Sequence, residues 1–163
     1  MESGDRLRLR ERENGMDTEK RRVAVSACLL GEPCRYDGRA RPSARVGALG
    51  DAYELVPICP EVLGGLPTPR EPAERRGDEV FTRTGDDVTE AYRNGAEKAV
   101  HAARKAGCVF CVLKARSPSC GCGRIYDGTF TGTLVPGDGI AAEAFKRDGF
   151  RVYTEEDPDL PGA

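Results

Sequence analysis

The sequence predicts an α/β fold, a compact single domain with a mostly parallel sheet flanked by helices and Rossmann-like in plan. Three observations lead there. Short apolar runs at 23–27, 53–58 and 108–112 have strand length and are bounded by charge, Gly or Pro. One long amphipathic segment, 87–106, lies between the second and third runs. Strands alternating with helices in this way build parallel sheets through crossover connections.

Residues 1–20 are dense in Arg, Glu, Asp and Gly, with Leu7 and Leu9 almost their only large aliphatic side chains. Such a segment buries too little to offset the entropy of ordering, so a disordered charged tail is expected. That leaves 21–157 as a single domain. The first strand, 23–27, runs into a turn-rich loop over 28–38, broken at Glu32-Pro33 and Asp37-Gly38. A short helix is expected over 42–49 and the second strand over 53–58, followed at once by Cys59-Pro60-Glu61. Gly and Pro are too frequent in 62–70 for a regular element, and 79–82 reads as a small strand.

In the long helix, Asp87 with Glu90 three residues on has the spacing of a capping box. Val88, Tyr92, Ala96, Ala99 and Ala103 share one face at about 100° per residue. The opposite face carries Glu90, Asn94, Glu97, Lys98 and His101, which turns the one histidine of the chain to solvent. Gly107 ends the helix. The apolar run 108–112 reads as a buried strand that gives way to the polar loop 113–123, Leu-Lys-Ala-Arg-Ser-Pro-Ser-Cys-Gly-Cys-Gly. Beyond it lie a weak edge strand over 129–135, a helix over 140–147, a last strand over 150–153 and a frayed end.

With 25 basic and 27 acidic residues the chain exerts no general pull on nucleic acid or membrane. No apolar run reaches the length of a membrane span, and the N-terminus lacks the apolar core of a signal peptide, so a cytoplasmic protein is expected. Seven cysteines are many for a reducing compartment and odd for a disulfide set, which directs attention to metal binding or catalysis.

Cys28, Cys59 and Cys120 each follow an apolar run, and carboxyl ends of parallel strands converge on one rim. Four readings compete for the cysteines. They are small buried hydrophobes; or Cys108, Cys111, Cys120 and Cys122 bind zinc; or Cys120 with Cys122, or Cys28 with Cys34, form a redox pair; or Cys28, Cys59 and Cys120 hold an iron–sulfur cluster. Strand alternation, which turns positions i and i+3 to opposite faces, argues against zinc and for Cys108 and Cys111 as core residues. Scattered single cysteines have no diagnostic period, so spacing alone does not choose the cluster.

Ser26-Ala27-Cys28-Leu29-Leu30-Gly31 with Cys34-Arg35-Tyr36-Asp37-Gly38 resembles the opening motif of the family catalogued as DUF523. So do Val56-Pro57-Ile58-Cys59-Pro60-Glu61, Gly65-Leu66-Pro67-Thr68-Pro69-Arg70, Asp87-Val88-Thr89, and Lys114 to Gly121 with Ile125-Tyr126-Asp127-Gly128. The similarity spans about 23–152, with the motifs in the family's order. Members include thiouracil desulfidases, which use a three-cysteine [4Fe-4S] cluster to remove sulfur from a thiolated pyrimidine such as 2-thiouracil without net redox change. The resemblance implies a cluster on Cys28, Cys59 and Cys120, with a small thiolated base or nucleoside as substrate. It implies Glu61 as the proton-transfer group and Ser117 as the polar group that orients substrate or water. Read without it, Glu61 is equally a salt-bridge carboxylate, for instance with Arg70, and Ser117 an ordinary turn residue before Pro118. Cys34 lies within a family motif, whereas Cys122 and the charged N-terminus stand outside the pattern. Two further classes remain beside the enzyme, a sulfur-carrier protein holding the cluster and a non-catalytic zinc-stabilised module.

Overall fold

A computed structural model describes residues 20–162; apart from Lys20, the tail expected over 1–20 lies outside them. The first half runs β1 (Arg21–Ser26), a 3₁₀ turn (Ala27–Leu30), α1 (Ala44–Gly47), β2 (Tyr53–Ile58), α2 (Pro60–Leu63), β3 (Ala73–Arg76) and β4 (Glu79–Thr82). The second half runs α3 (Thr89–Lys105), β5 (Cys111–Leu113), β6 (Arg124–Tyr126), β7 (Leu134–Pro136), α4 (Ile140–Arg147) and β8 (Val152–Thr154).

Four strands form one all-parallel sheet in the order β2-β1-β5-β8. Val23, Ala24 and Val25 of β1 are fully buried, because the central strand is covered on both faces. Alternation sorts its side chains. Ala24 joins Cys111, Leu113, Ala99, Ala103 and Phe145 on one face, and Val23 and Val25 join Val112, Val46 and Leu49 on the other. Thus α3 and α4 cover one face and α1 the other. Right-handed crossovers require this, since the chain leaves β1 in one direction for β2 and returns past it for β5. The strand order therefore reverses at β1, and its carboxyl end is the switch point where such sheets place ligands. Two antiparallel hairpins, β3–β4 and β6–β7, complete the fold.

Several elements depart from the sequence expectation. Asp87 does not cap α3: its carboxylate accepts from Thr89 N and Oγ1, forming a turn ahead of the helix. Thr89 Oγ1 in turn accepts from Val80 N at 2.9 Å, so the helix start is tied to β4 rather than closed by a capping box. Residues 129–135 are not a strand through most of their length. Asp127 accepts from Thr129, hydroxyls link Thr129, Thr131 and Thr133, and Phe130 takes a φ of 57°. Such local bonds outcompete a ladder, and only the flanking residues pair, as β6 and β7. In 108–112 the strand proper starts at Cys111, because Cys108 N still bonds back to Ala103 O at the end of α3. Cys108 and Cys111 consequently share one core cluster, and the alternation argument that separated them does not apply. Within the Gly- and Pro-rich stretch, Val62 and Leu63 do join a regular element, the single turn α2. The strand β3, three of whose four residues are charged, carried no apolar signal at all.

The contact between α2 and α3 is set by two glycines. A Cβ on Gly95 would stand 1.8 Å from Pro60 O, and one on Gly64 would stand 2.1 Å from Ala91 O. Backbone meets backbone here, so neither neighbour can rotate away. Gly95→Ala should therefore cost about 3 kcal/mol or more, read as a lowered urea midpoint. Gly47→Ala is the control: it meets nothing within 4 Å at a helical φ of −58° and should be neutral or stabilising.

Candidate active site at the carboxyl rim of the sheet

Each predicted site residue lies at the carboxyl end of a strand. Cys28 follows β1 in the 3₁₀ turn, Cys59 follows β2 and Cys120 lies in the loop after β5. All three, with Glu61 and Ser117, line one cavity of about 540 Å³ at this rim. The two hairpins supply the opposite wall through Glu74, Arg83, Tyr126 and Phe130. All seven cysteines are free thiols.

Local bonding explains how each thiol is presented. The loop after β1 folds back on itself, with Arg41 N donating to Cys28 O and Ser43 N to Leu29 O. That return brings Cys34 into the cavity, where its thiol interacts with both Cys28 and Cys59. Cys59 occupies the N-cap position of α2, with Pro60 and Glu61 in the first turn. Its thiol is raised well above the ordinary value, first by Cys34 and then by burial. A helix start thus follows this thiol directly.

The Cys120 loop is clamped from three sides. Pro118 O accepts from Ile140 N, and Ser119 O from Ala141 N and Ala142 N, so the loop's carbonyls satisfy the open N–H groups at the start of α4. Gly139 must be glycine for that approach, since a Cβ would stand 2.4 Å from Ser119 O. Ser117 Oγ accepts from Ser119 N and Cys120 N, both at 3.1 Å, and Gly121 N donates to Ser117 O. Ser117 is therefore the turn residue that sequence alone allowed, and its own hydroxyl proton is still available to a neighbour in the cavity. Burial pushes the Cys120 thiol up to about 12, partly offset by the Ser26 and Ser119 hydroxyls. Ser119 Oγ is fully buried and has no hydrogen-bond partner of good geometry. A buried hydroxyl left open beside a thiol suits a sulfur that carries negative charge.

Glu61 is held on both oxygens. Arg70 Nη2 donates to Oε2 at 3.0 Å, and the Tyr92 hydroxyl donates to Oε1. Arg70 also donates to Cys34 O at 2.9 Å, joining the carboxylate to the Cys34 loop. The Tyr92 hydroxyl lies well above its usual range, chiefly through burial and then through Glu61, so it stays a proton donor. Lys114 pairs with Glu155 at 2.9 Å at the cavity edge, and Arg35 Nη1 is buried without a partner. Two residues with left-handed backbone, Arg116 (φ 68°) and Phe130 (φ 57°), also line the space, a form of strain that collects at functional sites.

No three His, Cys, Asp or Glu side chains among the described residues form a single-ion site. Zinc would need its thiolates within about 4 Å of one another, given Zn–S bonds of ~2.3 Å. The grouping of Cys108, Cys111, Cys120 and Cys122 is thus not assembled, and Cys122 instead contacts Val152 O. An all-sulfur donor set spread around a cavity fits a body of several irons, whose ligands bind separate metal atoms. His101 is exposed on α3 and Cys108 and Cys111 sit in the core, as expected from sequence. Sequence reasoning missed the central position of Cys34, the roles of Tyr92 and Ser119, and the hairpin wall. Of these only Cys34 carried a signal, its place in a family motif and beside Cys28 in the redox reading.

Comparisons with known proteins place the chain in a family. The 2-thiouracil desulfurase family matches residues 23–157. The chain is 41% identical over 145 residues to the uncharacterized protein YbbK of Bacillus subtilis (strain 168), covering 83% of this chain and 96% of the relative. Among solved structures it resembles the [4Fe-4S]-dependent thiouracil desulfidase TudS (DUF523Vcz), with a TM-score of 0.79 and 47% identity over 84% of this chain and 92% of that one. Motifs, fold and rim cavity lead to one assignment: the chain belongs to the 2-thiouracil desulfurase family.

Proposed function

We propose that the protein is a [4Fe-4S]-dependent desulfidase that removes sulfur from a thiolated pyrimidine such as 2-thiouracil, giving uracil and sulfide. The observation that carries this is the convergence of Cys28, Cys59 and Cys120 with Glu61 on one rim cavity. Family membership and the likeness to TudS support it.

Cys28, Cys59 and Cys120 would hold the cluster, each from a different strand end. When bound, the cluster supplies a Lewis-acidic iron without a protein ligand, suited to a thiocarbonyl sulfur. The remaining work falls to side chains. Glu61 accepts a proton from water as the water oxygen bonds to the sulfur-bearing ring carbon, and returns it as the carbon–sulfur bond breaks. Thiocarbonyl and water become carbonyl and hydrogen sulfide, so no electrons are gained or lost. Ser117 directs its hydroxyl proton toward substrate or water while its lone pairs hold the Cys120 loop. The half-buried Arg35, with its Nη1 unpaired, and the aromatic rings of Tyr126 and Phe130 suit a flat ring with polar edges.

Protein purified without oxygen should be brown, with iron and acid-labile sulfide each near about four per chain. It should convert 2-thiouracil to uracil and sulfide. Stoichiometric zinc without sulfide would overturn the reading, and a full cluster without turnover on thiolated pyrimidines would favour a carrier. Cys28→Ala, Cys59→Ala and Cys120→Ala should each lose iron. Cys108→Ala and Cys111→Ala should keep it, at a packing cost of about 1 kcal/mol or more.

For Glu61→Gln the visible spectrum of the cluster should survive, because the amide keeps shape and a hydrogen bond. Turnover should fall by roughly 10² to 10⁴, the usual worth of a general acid–base group. Activity within a few-fold of wild type at full iron content would reduce Glu61 to a structural carboxylate.

A further inference from the structure

Glu61 lies on α2, a single turn that cannot orient a carboxylate by itself. Its side chain retains 18% exposure, toward the cavity it lines. Beneath it sits Tyr92 of α3, 2% exposed, with its hydroxyl on Oε1. The glycine contact fixes that meeting: Gly95, three residues after Tyr92, rests on Pro60 O, next to Glu61. Positions three apart share a helix face, so the backbone contact and the hydroxyl approach α2 together. Arg70, whose side chain is 5% exposed, holds the other oxygen and is itself anchored on Cys34 O, Pro67 O and Thr68 Oγ1.

A tyrosine in a helix core has no need to spend its hydroxyl on a carboxylate that faces a cavity. Phenylalanine would fill the same volume. We infer that Tyr92 is a positioning residue for the desulfidation step: with Arg70 it fixes the plane of the Glu61 carboxylate so that one lone pair of each oxygen is taken and the others face the cavity. This rests on the function proposed above, with Glu61 as the proton-transfer group. It also explains how Glu61 is both an ion-pair partner of Arg70 and a reacting group, since the pair holds the carboxylate without closing it off. Freed from Tyr92, the carboxylate would turn about Arg70, and a displacement of about 1 Å at a reacting group costs up to roughly 10² in rate.

The test is a double-mutant cycle on anaerobically prepared holoenzyme with 2-thiouracil. Tyr92→Phe should keep its iron, sulfide and melting temperature close to wild type, lower kcat by roughly 10- to 100-fold and leave KM within about twofold. In the Glu61→Gln background the same substitution should change kcat by less than about twofold, because Tyr92 acts only through Glu61. In iron-free protein, a downfield tyrosine hydroxyl proton resonance should be present in wild type, absent in Tyr92→Phe and shifted in Glu61→Gln. Should Tyr92→Phe fail to fold or fill, Arg70→Lys carries the same cycle through the other oxygen. Unchanged kcat in the single variant, or equal losses in the two backgrounds, would overturn the assignment. A wild type that holds its cluster but does not turn over thiolated pyrimidines would instead overturn the functional reading, so the two failures are distinct.

Discussion

The parallel pairing of β1 with both β2 and β5 is the constraint on which the rest depends. Parallel neighbours send their chains out at the same edge, so Cys28, Cys59 and the Cys120 loop must leave by one rim. An antiparallel partner on either side would carry one of the thiols to the opposite end of the sheet. The cost of parallel pairing is a crossover for each strand, and these crossovers supply α1, α3 and α4. Burial on both faces then makes Val23–Val25 of β1 a continuous apolar run, which is why the organising strand is easy to see.

Strand direction brings the thiols to a rim but does not hold them at it. That is done by polar groups that would otherwise be left open. The first N–H groups of α4 find their acceptors in Pro118 O and Ser119 O, so a helix and a thiol-bearing loop stabilise one another. Ser117 does the same for the N–H groups of Ser119 and Cys120. On the other side, Arg70 ties the Cys34 loop to Glu61. Each contact has the same logic: burying an unpaired donor or acceptor costs about 1–3 kcal/mol, so the pairing that removes this cost also fixes the site.

Glu61 illustrates why a structural and a chemical role need not be alternatives. Its ion pair with Arg70 is mostly buried and its bond to Tyr92 more so, the bonding expected of a carboxylate that only supports a fold. A carboxylate offers about four acceptor sites, however, and two donors leave two free. Fixing some lone pairs is what makes the direction of the rest definite. The same holds for Ser117, which accepts twice and still has a proton to give.

The sequence by itself determined a good deal. The apolar runs of β1 and β2, the Tyr92–Ala96–Ala99–Ala103 face of α3 and the helix at Ile140–Arg147 were legible because burial writes a period of 2 or 3.6 into local composition. The family motifs carried Cys28, Cys59, Cys120, Glu61 and Ser117, which occupy one cavity as their strand-end positions suggested. Other features were decided by tertiary structure. The charged strand β3 exists because β4 offers it a ladder, and Cys108 and Cys111 share a cluster because α3 holds Cys108 back from the sheet. Cys34 reaches the site only through the folded-back loop, and Tyr92 lies under Glu61 only because Gly95 admits Pro60 O. Periodicity records which way a side chain faces relative to its own element. What it meets there depends on how two distant elements dock, and no local pattern encodes that.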